Sequence, residues 1–460
     1  MLLPLIVAIV YKESDWFGIL LSLLITISSG LIILILTKIR GEIRAKEGFA
    51  IVSFGWLMMS LFGTLPFLLT NSINSFINAF FETTSGFTTT GASILNDIEV
   101  LPKCVLLWRS QTQWIGGMGI IVLSLAVLPI LGIGGMQLFK AEVPGPTHDK
   151  IAPRVGQIAK ILWGVYVIIS AAEIVLLKIA GVSLFDSICH TFTCMATGGF
   201  STKNSSIGAY NSVYIDAVVT FFMFLAGINF AMHFRALKGS FLCYFRDKEF
   251  LFYVGILATA TLYLTGDTYI NNYNSIGKAF QKSIFQSVSI GTTTGFVTED
   301  YINWSYASQL ILFTLMFFGG CAGSTGGGMK IVRILLLIKS SFAELKKSIH
   351  PSAVIYVKFG DKSVPNDIIS KILAFLLLYI GIFAVTAIVL SFLGLDIVSS
   401  IGASAACIGN IGPGLGSVGP AFNYSHIPFL GKCILVFCMI LGRLELYTVL
   451  VLFSRSLWKV

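Results

Sequence analysis

The chain has 460 residues, of which 55% are hydrophobic and only 12% charged, and it carries a formal net charge of +9. With a mean hydropathy of +0.86, this composition excludes a soluble enzyme and requires an all-α integral membrane protein with many spans. The positive charge does not mark a nucleic-acid binder. The basic residues gather in alternate connecting loops, as on the cytoplasmic side of a multi-pass membrane protein.

Residues 1–11 are apolar but short. They lack the basic start and small-residue cleavage site of a signal peptide, and read as a partial span. Residues 16–37 form a full span, and Lys38, Arg40, Arg44 and Lys46 make the first cytoplasmic loop. Residues 48–69 cross outward. Segment 75–85 follows, half-apolar and too short for a bilayer, which takes ~20 residues. It leads into Phe87-Thr88-Thr89-Thr90-Gly91-Ala92-Ser93, too polar and glycine-rich for a membrane helix. Residues 105–131 then return.

The same order recurs three times. The loop 140–160 carries Lys140, Lys150, Arg154 and Lys160 around Val143-Pro144-Gly145-Pro146, which cannot continue a helix. Residues 161–180 go out, 183–194 are the short segment, Ala196-Thr197-Gly198-Gly199-Phe200-Ser201 follows, and 213–234 return. After the basic stretch 235–248, residues 250–264 go out. The short segment 276–290, Thr292-Thr293-Thr294-Gly295-Phe296-Val297 and the return 308–338 complete the third unit. After the basic loop 339–362 come 368–393, 397–408, Gly409-Asn410-Ile411-Gly412-Pro413-Gly414 and 430–453, leaving Arg455 and Lys459 inside.

Gly91, Gly198, Gly295 and Gly412 lie roughly a hundred residues apart, which predicts four tandem repeats. The expected divisions are an N-terminal helix pair over 1–46 and pore repeats over 47–139, 140–248, 249–362 and 363–460. About ten spans result if 1–11 counts as one. Each repeat reads as span, pore helix, filter strand and span, with all four filter strands opening outward around one pore. Irregular backbone at membrane depth is tolerated only where protein buries it or it lines a cavity. Glycine permits conformations closed to other residues. Rings of backbone carbonyls can replace the hydration shell of a monovalent cation, and the partly negative ends of four short helices favour one. The expected cation-binding residues are Thr89, Thr90 and Gly91; Thr197 and Gly198; Thr293, Thr294 and Gly295; and Asn410, Ile411 and Gly412.

Further motifs run the length of the chain. They are Gln113-Trp114-Ile115-Gly116-Gly117-Met118-Gly119, Gly134-Gly135-Met136-Gln137-Leu138, Gly319-Gly320-Cys321-Ala322-Gly323-Ser324-Thr325-Gly326-Gly327-Gly328-Met329-Lys330 and Leu441-Gly442-Arg443-Leu444-Glu445. On these the whole chain resembles the TrkH-type potassium uptake subunits of the Trk/Ktr/HKT superfamily, with an N-terminus shorter than usual and a fourth strand set apart by Ile411 and Pro413. The resemblance implies potassium as the substrate, since a serine at the first-repeat glycine goes with sodium permeation and Gly91 is glycine. It implies no bound cofactor. It also implies a homodimer, seated in the bacterial inner membrane on a cytoplasmic nucleotide-binding regulatory subunit of the TrkA type.

Six of the ten residues from 319 to 328 are glycine, each costing about 1 kcal/mol in a helix. This segment is expected to be a mobile intramembrane gate, through Gly319, Gly320, Gly323, Ser324, Thr325, Gly326, Gly327, Gly328 and Lys330, rather than a glycine seam for helix packing. Arg443 lies inside a span, where a charge must face protein or a watery path. The resemblance places it in the pore below the filter; the alternative is a pair with Glu445 or Glu82. Lys330 and Arg333 read as snorkelling to the cytoplasmic surface. Glu82, Asp186 and Asp396 read as structural rather than as ion ligands. Asp267, Glu299 and Asp300 would enrich cations at the outer mouth.

Two other classes compete. A secondary transporter coupling solute or potassium movement to sodium or protons also uses broken helices, but these repeats are not inverted. An intramembrane enzyme needs clustered catalytic groups. The histidines His148, His190, His233, His350 and His426 are scattered, and Cys189, His190 and Cys194 read as packing residues of one short helix.

Overall fold

The computed structural model describes residues 1–37, 45–126, 151–353, 355–360 and 362–455. The expected loop charges Lys38, Arg40, Arg44, Lys140 and Lys150, the motif from Gly134 to Leu138, and Pro144 to Pro146 lie outside the described residues. Among the described residues the protein is almost wholly helical; the one sheet is a two-stranded hairpin, Lys358–Phe359 with Lys362–Ser363.

Among the described residues five helices are long and apolar enough to cross a membrane: Trp16–Leu36, Glu47–Leu69, Gly156–Ile179, Lys248–Asn271 and Asn366–Phe392. Their outward side chains are apolar, Leu34, Ile35 and Leu36 among them, as lipid contact requires. Leu2–Val10 has nine residues, ~14 Å at 1.5 Å each, so it is not a span. It packs on Lys103–Ala126. Beyond it Glu13 accepts the backbone N–H groups of Lys103 at 2.7 Å and Cys104 at 3.0 Å, an acid at a helix N-terminus.

The four short helices are Phe76–Phe87, Leu184–Met195, Ile276–Gly291 and Ile397–Ile408. They coincide with the expected segments to within two residues. Ser183 caps the second through its hydroxyl, and Asp396 the fourth. Each packs against the long helix that precedes it in its own repeat.

The return segments differ from expectation. Only Lys103–Ala126 runs on as one helix. The predicted span 213–234 is two helices, Val213–Ala226 and Phe230–Leu237, bent by 104°, and 430–453 is Phe429–Arg443 and a short helical end bent by 113°. The predicted span 308–338 splits into Tyr306–Leu315, an irregular loop and Ile331–Ile349, and here the break is the one expected from the glycines of 319–328. This last helix takes in the start of the expected basic loop 339–362. At the first of these breaks the carbonyls freed at Ala226 and Gly227 accept N–H groups of the 319–328 loop, from Thr325 at 3.3 Å and Cys321 at 2.9 Å. Backbone opened at membrane depth is thus satisfied by another repeat.

Close approach also fixes the returns against the short helices. A Cβ on Gly116 would overlap the carbonyl oxygen of Phe87, and one on Gly442 that of Ile408. Phe87 and Ile408 are the last residues of their helices, so the two contacts are equivalent. Gly164, by contrast, has nothing within 4 Å of its Cβ direction. Gly116→Ala is therefore expected to destabilise the protein by about 1–3 kcal/mol, read as a lower melting temperature in detergent. Gly164→Ala should leave it unchanged or slightly raised; equal effects would remove this packing argument.

Candidate functional site

Each short helix ends in the same turn. The residue after the cap is left-handed: Thr89 at φ 52°, Thr197 at 54°, Thr293 at 61° and Asn410 at 54°. Its N–H bonds three residues back and the next N–H five back. Thr89 bonds to Gly86 and Thr90 to Ser85, both at 2.9 Å, and Thr293 to Ile290 at 3.0 Å with Thr294 to Ser289 at 2.8 Å. The same two bonds form at Thr197 and Gly198 and at Asn410 and Ile411. This closure normally takes glycine. A β-branched residue there costs about 1–2 kcal/mol, and persists because its surroundings over-determine it.

Two residues further on the chain is left-handed again, at Gly91 (81°), Gly199 (75°), Gly295 (79°) and Gly412 (97°). These glycines show how the strands meet. A Cβ on Gly91 would overlap the carbonyl oxygen of Gly198, one on Gly199 that of Thr294, and one on Gly295 that of Ile411. One on Gly412 would stand 2.7 Å from the carbonyl oxygen of Thr90. The sequence of contacts runs from repeat one through four and back to one, so the strands close a ring.

The ring corrects one expectation. Gly199, not Gly198, is the counterpart of Gly91, Gly295 and Gly412. Gly198 matches Thr90, Thr294 and Ile411, and its missing side chain makes room for Gln113. The signal was available: Phe200 follows Gly199 as Phe296 follows Gly295. All the other expected filter residues lie in the ring strands.

The ring residues Thr89, Thr90, Thr293, Thr294, Asn410 and Ile411 are fully buried. Among the described residues no hydrogen bond reaches their carbonyl oxygens, whereas Gly198 accepts from Gln113 Nε2 and Gly412 from the Tyr424 hydroxyl, each at 2.7 Å. Buried carbonyls without donors are uncommon, and a set of them around one ring suits a positive ligand. Gly91, Gly199, Gly295 and Gly412 all line a cavity of about 180 Å³ on one face of the ring, here termed the vestibule.

On the other face lies the 319–328 loop. It is irregular backbone, tied at its ends by Gly319 N–H to Met329 O at 2.9 Å. Its Thr325 hydroxyl lies 3.0 Å from Met195 O, and Gly327 N–H donates to Thr293 Oγ1 at 2.7 Å. Gly327 also abuts Gly409 O. The loop therefore touches the ends of the second, third and fourth short helices. Arg443, 1% exposed, completes the arrangement: Nη1 donates to Thr325 O at 2.8 Å and Nη2 to Gly116 O at 3.0 Å. Gly116 is the residue packed on the end of the first short helix. The guanidinium thus bonds the loop that touches three of the short helices and the residue packed on the end of the first, on the side of the ring where the helix C-terminal ends favour a positive charge.

A family model described as a cation transport protein, TrkH, matches residues 17–459. The chain belongs to the TrkH family. The Trk system potassium uptake protein TrkH of Salmonella typhimurium (strain LT2) is 40% identical over 100% of this chain and 96% of its own length. The Trk system potassium uptake protein TrkG of Escherichia coli (strain K12) is 37% identical over 100% of this chain and 95% of its own. The crystal structure of the potassium transporter TrkH from Vibrio parahaemolyticus superposes with a TM-score of 0.93 at 35% identity, covering 100% of this chain and 96% of that one. The family is one of transporters, not enzymes.

In this TrkH-family chain the ring is fastened from behind by Glu82, expected to be structural, by Gln113 of the quoted motif, and by Arg109, Tyr301 and Tyr424, to which the sequence reading gave no role. Glu82 accepts from Arg109 Nε at 2.8 Å and from Ile94 N–H at 2.9 Å. Arg109 also donates to Ser201 O at 3.0 Å and lies 4.1 Å from the Phe200 ring centroid. One buried pair therefore joins the first two strands. Gln113 grips the second strand at Gly198 O and at Phe200 N–H, 3.1 Å away. The hydroxyls of Tyr301 and Tyr424 hold the fourth, on Gly414 O and Gly412 O. An arginine within a span was itself a signal.

Other expectations resolve as follows. Neither Glu82 nor Glu445 partners Arg443: Glu82 serves Arg109, and Glu445 pairs with Arg333. Lys330 and Arg333 do not snorkel; both are buried, and Lys330 Nζ donates to Gly326 O. Asp186 accepts from Thr202 Oγ1 at 2.6 Å and Asp396 caps its helix. Asp267 is engaged by Asn271, Ser305 and Ser308, Asp300 caps Ile302 N–H, and Glu299 accepts from the Tyr273 hydroxyl. Burial, and then the charge of Asp300, raise the Glu299 carboxyl above its ordinary pKa. The charged residues that line the vestibule are Arg109, held by Glu82, and Lys203; Lys203 lies 3.6 Å from the exposed Glu99, a pair worth little.

Removing one member of a buried pair leaves the other uncompensated, a cost of about 3–5 kcal/mol. Glu82→Gln should therefore lower the detergent melting temperature far more than Glu99→Gln. Similar shifts for both would show that the Arg109 pair does not hold the strands.

Proposed function

We propose that the chain is a potassium uptake pore, with the ring as its selectivity filter and the loop and Arg443 as its gate. One observation carries the reading: four glycines, each against the next repeat's carbonyl, close a ring of backbone oxygens, of which those of Thr90, Thr294 and Ile411 are buried without a donor among the described residues. Such oxygens can replace the water around a monovalent cation without trapping it by formal charge. The relatives' names supply potassium as the ion. The fully buried guanidinium on the opposite face repels a cation leaving the ring, and the glycine loop beside it can move with little side-chain cost. Basic residues such as Lys238, Arg246, Lys248 and Lys346 are exposed at helix ends away from the vestibule. They support an inner-membrane orientation with the vestibule outside and the basic loops cytoplasmic, where a regulatory subunit of the TrkA type would dock on a homodimer.

Serine at Gly91 or Gly199 would push a side chain onto a ring carbonyl. Both variants are expected to lower the potassium-over-sodium ratio of rubidium-competed liposome flux by about tenfold, equivalent to 1.4 kcal/mol. An unchanged ratio in folded protein would remove the ring from selectivity. Arg443→Ala and deletion of residues 326–328 are each expected to raise rubidium flux severalfold; flat or lower flux would remove both from the gate.

A further inference from the structure

Between the second and third repeats one short helix lies open to its side. Val213–Ala226 and Lys248–Asn271 flank Ile276–Gly291, and a trough of about 920 Å³ runs along it. A recess of about 310 Å³ continues it, sharing Phe224, Phe280, Ile284 and Val288. Its walls are apolar, with Phe221 and Phe280 exposed. Val288 lies one turn before Thr292, so the trough reaches the base of the third ring strand. Only its vestibule-side mouth is polar, through Asp216, Lys278, Gln281 and Lys282.

The mouth is unevenly satisfied. Asp216 is 2% exposed. Its Oδ2 accepts from Gln281 Nε2 at 2.8 Å and Lys282 Nζ at 3.3 Å. Its Oδ1 has no hydrogen-bond partner among the described residues, and a buried carboxylate oxygen needs a donor. Lys278 is exposed, its Nζ 5.2 Å from the Tyr273 ring centroid, and no carboxylate pairs with it among the described residues. The mouth thus offers an acceptor to a cationic N–H group and an ammonium to an anion, above an apolar channel.

We propose that this trough binds an aminophospholipid of the vestibule-side leaflet. A turn of the Asp216 carboxylate toward the mouth lets its buried Oδ1 accept from the ethanolamine ammonium, the phosphate lies on Lys278, and one acyl chain runs along Ile276–Gly291 to Val288. A choline headgroup has no N–H to donate, and a glycerol headgroup brings no cation, so the site selects for ethanolamine. Because the chain rests on the helix that ends in the third ring strand, the lipid is part of that strand's support.

The test uses the full chain, equilibrated with equimolar palmitoyl-oleoyl phosphatidylethanolamine, phosphatidylcholine and phosphatidylglycerol, then delipidated and examined by native mass spectrometry. The wild type is expected to retain one phosphatidylethanolamine per chain, at least tenfold over either other lipid. Asp216→Asn should level ethanolamine with choline. Ala217→Trp, which fills the trough from an exposed position, should cut retention at least tenfold and keeps the test valid if Asp216→Asn fails to fold. Equal retention of all three lipids by the wild type, or undiminished retention by Ala217→Trp, overturns the proposal. So does an Ala217→Cys variant that cross-links to a second copy in vesicles, which would make the trough an interface between chains.

Discussion

The structure turns on the contact between a glycine Cα and a neighbouring carbonyl oxygen, made four times around one ring. At Gly91, Gly199 and Gly295 a Cβ would overlap that oxygen, and at Gly412 it would come within 2.7 Å. No side chain separates one strand from the next, so the backbone itself defines the ring. Four left-handed turns at Thr89, Thr197, Thr293 and Asn410 place the strands to make that contact. Three of them hold threonine against its conformational preference. That strain is offset by helices and the 319–328 loop packed on the four turns: Gly116 on Phe87 and Gly442 on Ile408, Thr325 on Met195 and Gly327 on Thr293.

Charge is placed where backbone dipoles need it. Arg109 and Glu82 join two strands from behind, and Arg443 has no carboxylate partner among the described residues. Arg443 instead satisfies carbonyls of Thr325 and Gly116, two groups that belong to different repeats. The loop that carries Thr325 is held in turn by carbonyls exposed where the second repeat's return helix breaks. Each irregular segment within the bilayer depth thus answers another, as hydrogen-bond satisfaction in lipid demands.

The repeats and the short helices were legible in the sequence because they depend on local quantities: lengths of apolar runs, glycine clusters and loop charge. Ile397–Ile408 is apolar but too short to span, and nothing distant is needed to read it so. The break in the third return helix was legible in the glycines of 319–328, but those in the second and fourth were not. The break after Ala226 depends on Thr325 and Cys321, nearly a hundred residues on, and the pairing of Arg333 with Glu445 crosses two repeats. The register of the second strand was ambiguous because Gly198 and Gly199 are adjacent, and only Gln113, from another helix, decides which one faces outward from the ring. Composition placed Lys330 and Arg333 near an interface, yet tertiary contacts buried them.

The account stands on the ring oxygens holding a dehydrated alkali cation. The most direct measurement is anomalous scattering from crystals grown in rubidium. The account predicts a rubidium peak on the ring axis, level with Thr90, Gly198, Thr294 and Ile411 and displaced by excess potassium. Rubidium found only off that axis, with the ring oxygens bonded to ordered water instead, would contradict it.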